Sequence, residues 1–187
     1  MHPLFLFLLS CLTCFASPLV ESARKQVGVT VSYDPSYQNL AFPNGDVKSS
    51  TGVCTDVVIR ALRDAYKFDL QSLVNADMKK NFSKYPTIWG LSRTDHNIDH
   101  RRVPNLMKFF ERKGYSIGVK DKKKEGFQPG DIVTCAVPPH LPHIMIVSDK
   151  KNAKGIPYII HNIGGGTQEQ DRLFDFKITG HYRYKAN

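Results

Sequence analysis

Three side chains in this sequence have the types and the order that nucleophilic chemistry needs. Cys54 opens the segment Gly52-Val53-Cys54-Thr55-Asp56-Val57-Val58, which reads as the start of a helix. Unpaired N–H groups and the dipole at such a start favour a thiolate, and the thiolate is the nucleophile. Cys54 also shares an apolar stripe with Val57, Val58, Ala61 and Leu62, so plain packing accounts for a cysteine there too. His143 heads the apolar run His143-Ile144-Met145-Ile146-Val147, which follows the turn Pro129-Gly130-Asp131. A histidine at the head of a core strand can lean over the sheet edge towards a helix terminus, where a general base for Cys54 belongs. His140, in a Pro-rich turn, reads as surface. His161 ends a second apolar run, Tyr158-Ile159-Ile160. If the two strands pair, His161 can hydrogen-bond the far nitrogen of His143 and fix its tautomer. A slip of one residue in register reverses the face and gives that role to Asn162.

Other residues could support these three. Asp56, in the first helical turn, either complements the dipole or reaches the cleft from behind. The stretch 85–105 is polar and irregular and contains the only Trp, Trp89. Trp89 offers a stacking face, and Arg101 or Arg102 could clamp a carboxylate. The same stretch also reads as a loop tied down by local Asp–Arg pairs. His96 and His100 are four apart beside Asp95 and Asp99, so a metal site is conceivable there, but the favoured reading has no metal. Gly164 to Gly166 is no phosphate loop, since no Lys follows. It reads as a turn that lets a substrate backbone approach. Cys135 sits mid-strand and is expected to pack.

The elements that would position these residues follow from periodicity. Apolar spacing predicts helices over 53–66, 70–82 and 104–113, the first capped by Ser50 or Thr51, the third opened by Pro104 and stopped by Gly114. Short runs bounded by Gly and Pro predict strands over 115–119, 131–137, 143–148, 157–162 and 180–184. Val27, Val29 and Val31 alternate as a strand does, although a short helix fits that region as well. Pro43-Asn44-Gly45-Asp46 is a turn signal, and the charge run 120–125 a solvated hairpin. Helices first and strands later give an α+β domain, with N-terminal helices packed on a mostly antiparallel C-terminal sheet.

The chain has 187 residues, 41% of them apolar, and a formal charge of +9. That is one domain's length with enough apolar surface for a core. No apolar run reaches the roughly 18 residues that span a bilayer. Residues 1–22 have the apolar stretch and small-residue sites, at Ala16 and Ser22, of a secretory leader. Leu8-Leu9-Ser10-Cys11 also allows a lipoprotein signal. Cleavage after Ser22 leaves a single domain, 23–187, with charge +10 and two cysteines. That basic balance suits an anionic polymer. Nucleic acid is disfavoured because Lys and Arg are scattered without an aromatic-basic motif.

Several segments together carry a resemblance. They are Tyr33-Asp34-Pro35, Phe42-Pro43-Asn44-Gly45-Asp46, the run from Gly52 to Ala61, Ile98-Asp99-His100-Arg101-Arg102-Val103-Pro104-Asn105-Leu106, His161-Asn162-Ile163-Gly164 and Thr179-Gly180-His181-Tyr182-Arg183. Over nearly all of the mature chain the sequence resembles the bacterial domain of unknown function 1287 family. It is an amidase-like branch similar to NlpC-type cell-wall cysteine peptidases of the papain-like superfamily. The resemblance implies a papain-like fold, a triad on Cys54, His143 and His161, and no metal or organic cofactor. The expected function is a secreted or periplasmic thiol hydrolase that cleaves an amide bond in peptidoglycan stem peptides. A thiol acyl hydrolase or transferase acting on lipid or ester, and a non-catalytic wall- or protein-binding module, are the alternatives.

Overall fold

A computed structural model describes residues 17–119 and 126–185. The apolar run at 4–9, Cys11, Cys14 and the charge run 120–125 lie outside the described residues. The described residues begin with a short helix, α1 (Pro18–Arg24), opened by Pro18 and with Arg24 in its last turn. Two brief strands, β1 (Ser32–Tyr33) and β2 (Thr51–Gly52), pair in parallel. Helices α2 (Cys54–Tyr66), α3 (Leu70–Asn81) and α4 (Val103–Arg112) follow, with a 3-10 turn at Asp99–Arg101. Strands β3 (Ile132–Val137), β4 (Leu141–Lys151), β5 (Pro157–Asn162), β6 (Thr167–Gln170) and β7 (Lys177–Tyr182) form one antiparallel sheet ordered β6-β5-β4-β3-β7. The architecture is therefore α+β.

Both faces of the sheet are covered. Ile132, Ile144, Ile146 and Ile160 meet α1, α2 and α4 through Leu19, Val58, Leu62, Leu106 and Phe110. On the other face Val133, Met145, Val147 and Ile159 pack under Phe127, Leu173 and Ile178. Burial on both faces is why these strands read as continuous apolar runs rather than alternating ones. Each fully buried Ile or Leu contributes roughly 1.5–3 kcal/mol.

Several expected elements change. The segment 115–119 forms no strand; Ser116 makes one isolated bridge to Tyr182. Val27, Val29 and Val31 are exposed in the turns after α1, because that segment leaves the core once α1 ends. The strands at 143–148 and 180–184 are longer or displaced, as β4 and β7. Helix α1 crosses residue 22, and its Leu19, Val20, Ser22 and Ala23 are buried. Within the Gly run, Gly166 is packed against the chain's own backbone: a Cβ there would lie 2.5 Å from the Thr30 carbonyl oxygen, and Gly166 has φ +86°.

Candidate functional site

Cys54 is the first residue of α2, and the turn before it is held by its own carboxylate cap. Neither Ser50 nor Thr51 caps the helix. Val53 is the N-cap, and its N–H donates to Asp56 Oδ2 at 2.7 Å. A valine has no acceptor of its own, so the carboxylate three residues on satisfies the helix start. Asp56 also accepts two bonds from Arg101, Nε to Oδ1 at 2.9 Å and Nη2 to Oδ2 at 2.9 Å. Both partners are almost fully buried. Asp56 thus joins the Cys54 helix to the 3-10 turn of the 85–105 stretch, and Thr55 adds a bond to the Arg101 carbonyl at 3.1 Å.

The Cys54 thiol is buried and reduced. Burial pushes its pKa up to about 11 and the Asp56 carboxylate adds to this, while the backbone amides of Ile144, Thr55 and Cys54 itself pull the other way. The helix start alone led to a thiolate; here desolvation outweighs the dipole. The Ile144 N–H places the sulfur beside the peptide that follows His143. Tyr33 faces the thiol from the other side, and burial with this neighbour raises its hydroxyl to about 12.

His143 and His161 do meet. His143 Nε2 and His161 Nδ1 are 2.8 Å apart, with the rings edge to face. The β4–β5 pairing sets this, since Val147 opposite Ile159 puts both histidines on one face of the sheet. A third side chain, unforeseen from the sequence, extends the string: His161 Nε2 lies 3.0 Å from Gln170 Oε1 on β6. An amide oxygen can only accept, so His161 carries its proton on Nε2. Its Nδ1 then accepts from His143 Nε2–H, and His143 Nδ1 is left as a free lone pair. Burial lowers the pKa of His143 to about 3 and also lowers that of His161, where Gln170 opposes the shift. Both rings are therefore neutral at pH 7.

Asn162 takes no part in that string. Its Nδ2 donates to the carbonyls of Gly52 at 3.0 Å and Ser32 at 3.2 Å, on the opposite face of β5 from His161. It ties the sheet to β1 and to Gly52, two residues ahead of Cys54. Among the described residues no hydrogen bond joins Cys54 to His143. They line adjoining cavities, of about 220 and 210 Å³, that share Tyr33 and Pro142. The first also has Trp89, Arg101 and Arg102 in its wall. Trp89 carries the Arg102 guanidinium 4.2 Å above its ring. His96 packs edge-on against Phe42, and His100 is buried. Among the described residues no group of three or more His, Cys, Asp or Glu side chains is arranged to hold a metal ion.

Three further motif residues are structural. Asp131, of the Gly-Asp-Ile-Val strand start, accepts from Arg183 Nε at 2.7 Å and pairs with His181 Nε2 at 2.7 Å. These partners hold its carboxyl below the usual range despite burial. They pin β7 to the start of β3.

Comparison with known proteins places the chain. It is 51% identical over 166 residues, covering 89% of this chain and 80% of the relative, to a protein of Escherichia coli (strain K12) called uncharacterized protein YijF. The profile described as Domain of unknown function (DUF1287) matches residues 20–184, so the chain belongs to the DUF1287 family.

Proposed function

We propose that the chain is a cysteine hydrolase of papain-like, NlpC-like type that cleaves an amide bond in peptidoglycan stem peptides outside the cytoplasm. The observation that carries this reading is the string Gln170–His161–His143, whose His143 end lines a cavity adjoining the one lined by Cys54 at its helix start. Such polarised strings serve general bases, and packing alone does not require one. Because thiol and imidazole are both neutral, the proton moves during attack. The Cys54 sulfur bonds to the carbonyl carbon as its proton passes to His143 Nδ1. In this mechanism the Cys54 N–H donates to the oxyanion. His143 returns the proton to the leaving amine, and the C–N bond breaks. Water, deprotonated by His143, then releases the acid from the thioester and restores the thiol.

The basic composition suits an anionic wall, and the leader-like residues ahead of α1 suit export. Removal after Ala16 keeps α1 whole, whereas removal after Ser22 strips two core residues, Leu19 and Val20, from it. N-terminal sequencing of the exported chain is expected to begin at Ser17. A second reading, hydrolysis of an acyl ester, draws on the apolar lining of the Cys54 cavity by Val53, Ile98, Val103 and Pro142.

Mass spectrometry of products from purified sacculi tests both. Wild type is expected to release new muropeptides, and Cys54→Ala and His143→Ala to release none. Equal products from wild type and Cys54→Ala would sink the hydrolase mechanism. Fatty acid released from lipid without new muropeptides would establish the second reading.

A further inference from the structure

Two consecutive arginines border the Cys54 cavity, and they are not equivalent. Arg101 turns inward, its guanidinium shared between Asp56 and the carbonyls of Asp34 and Ser36. The Arg102 guanidinium makes no hydrogen bond to any described residue. Its Nη1 lies 3.5 Å from Asp99 Oδ1, and both atoms are buried without a hydrogen-bond partner. The guanidinium carbon lies 4.2 Å from the centre of the Trp89 ring, and the side chain is 18% exposed. Burial lowers its pKa, and Asp99 and Asp95 oppose that shift. One tine of this guanidinium, Nη1, faces Asp99, while Nε and Nη2 hydrogen-bond no described residue, so a cation stacked on an indole keeps one edge for a ligand.

The anion it fits is planar and two-oxygened. A carboxylate accepts two parallel N–H bonds from the fork. The cavity wall around it is apolar, with Pro35, Val53, Ile98 and Val103. Such a wall removes water and strengthens the pairing. It also penalises a neutral substitute that leaves the guanidinium unpaired. We propose that Arg102, seated over the Trp89 ring, receives a free carboxylate of the substrate, so that this site selects acidic peptides whose carboxylate lies close to the amide presented to Cys54. The link to amide cleavage rests on the hydrolase reading; the binding does not.

Binding can be read without turnover. Full-length Cys54→Ala protein is titrated calorimetrically with a peptidoglycan stem peptide whose carboxyl groups are free, and with the same peptide converted to carboxamides. One charge-assisted bidentate contact predicts about 10- to 100-fold weaker binding of the amidated form. Arg102→Gln in the same background should bind both forms alike, and Arg102→Lys, which keeps charge but loses the fork, should fall between. Trp89→Ala should reduce the preference without abolishing it. Near-UV circular dichroism and melting identify a variant that fails to fold, and Arg102→Lys then carries the comparison. Equal binding of both forms by the Cys54→Ala protein overturns the proposal. So does a preference that survives Arg102→Gln, or binding of neither form. A preference seen alongside a wild type that releases no muropeptide leaves the receptor standing and removes the hydrolase.

Discussion

The base strength and direction of His143 depend on a side chain two strands away. Gln170 Oε1 fixes the proton of His161 on Nε2, and that choice propagates to a bare Nδ1 on His143. If His161 becomes protonated, its Nδ1 must donate. His143 then accepts at Nε2, carries its own proton on Nδ1, and can no longer take one from a thiol. Activity should thus fall on the acid side as His161 titrates. Burial lowers that pKa below 6.5, so the acid limb of kcat/KM should lie below pH 6.5. Gln170→Glu places a carboxylate against Nε2, stabilises the imidazolium, and should move the limb to higher pH. Gln170→Leu should move it lower and reduce kcat by about 10- to 100-fold, since positioned acid–base catalysis supplies roughly 100- to 10,000-fold. A pH–rate profile of each variant checks this; limbs that stay fixed would make Gln170 merely a packing residue.

At the scale of elements, the site is assembled where the 85–105 stretch meets the start of α2. Asp56 and Arg101 are the joint, a buried bidentate pair that also caps the helix. Removing one partner leaves the other charged and buried, which typically costs about 3–5 kcal/mol. Arg101→Ala should therefore lower the urea midpoint strongly, and the Asp56→Ala, Arg101→Ala double variant should lose much less than the two single losses combined. An additive result would mean that the pair is not coupled. How much of this joint could be read from sequence depends on range. Cys54 at a helix start follows from the apolar stripe, and His143 and His161 from their positions at strand ends. The pairing of the two histidines also needed only one strand register. The Asp56–Arg101 contact, across 45 residues, leaves no periodic trace, so Arg101 reads as a free cation when it is an internal one. Gln170 is hidden for a similar reason. Its strand is a four-residue polar edge after a Gly run, with no apolar pattern to mark it. Helix α1 is hidden because its apolar residues continue the leader-like segment.

The whole molecule carries a second consequence of burying neutral imidazoles. His100 is 2% exposed and His143 4% exposed, and burial lowers their pKa values to about 4 and about 3. Unfolded, each titrates near 6.5. Between those values the unfolded chain binds protons that the native chain refuses, so stability falls as pH drops. Their contribution is complete above about pH 6.5 and is lost progressively down to about pH 4 for His100 and about pH 3 for His143. Glu169 has the same sign over a lower window: Arg24, Lys150 and Ser148 hold its pKa at about 2, so its contribution declines only below about pH 4.5. The interval from pH 7 to pH 5 therefore belongs to histidine. Over it, a buried histidine of this kind contributes a loss of about 2 kcal/mol. His100 lies outside the Cys54 and His143 cavities, so it separates stability from chemistry. His100→Gln should flatten the fall in unfolding free energy between pH 7 and pH 5 by about 2 kcal/mol. It should leave the acid limb of the pH–rate profile in place. Urea melts at the two pH values measure the first, and muropeptide release rates the second. A variant whose stability still falls as steeply as the wild type would show that His100 takes up its proton without unfolding.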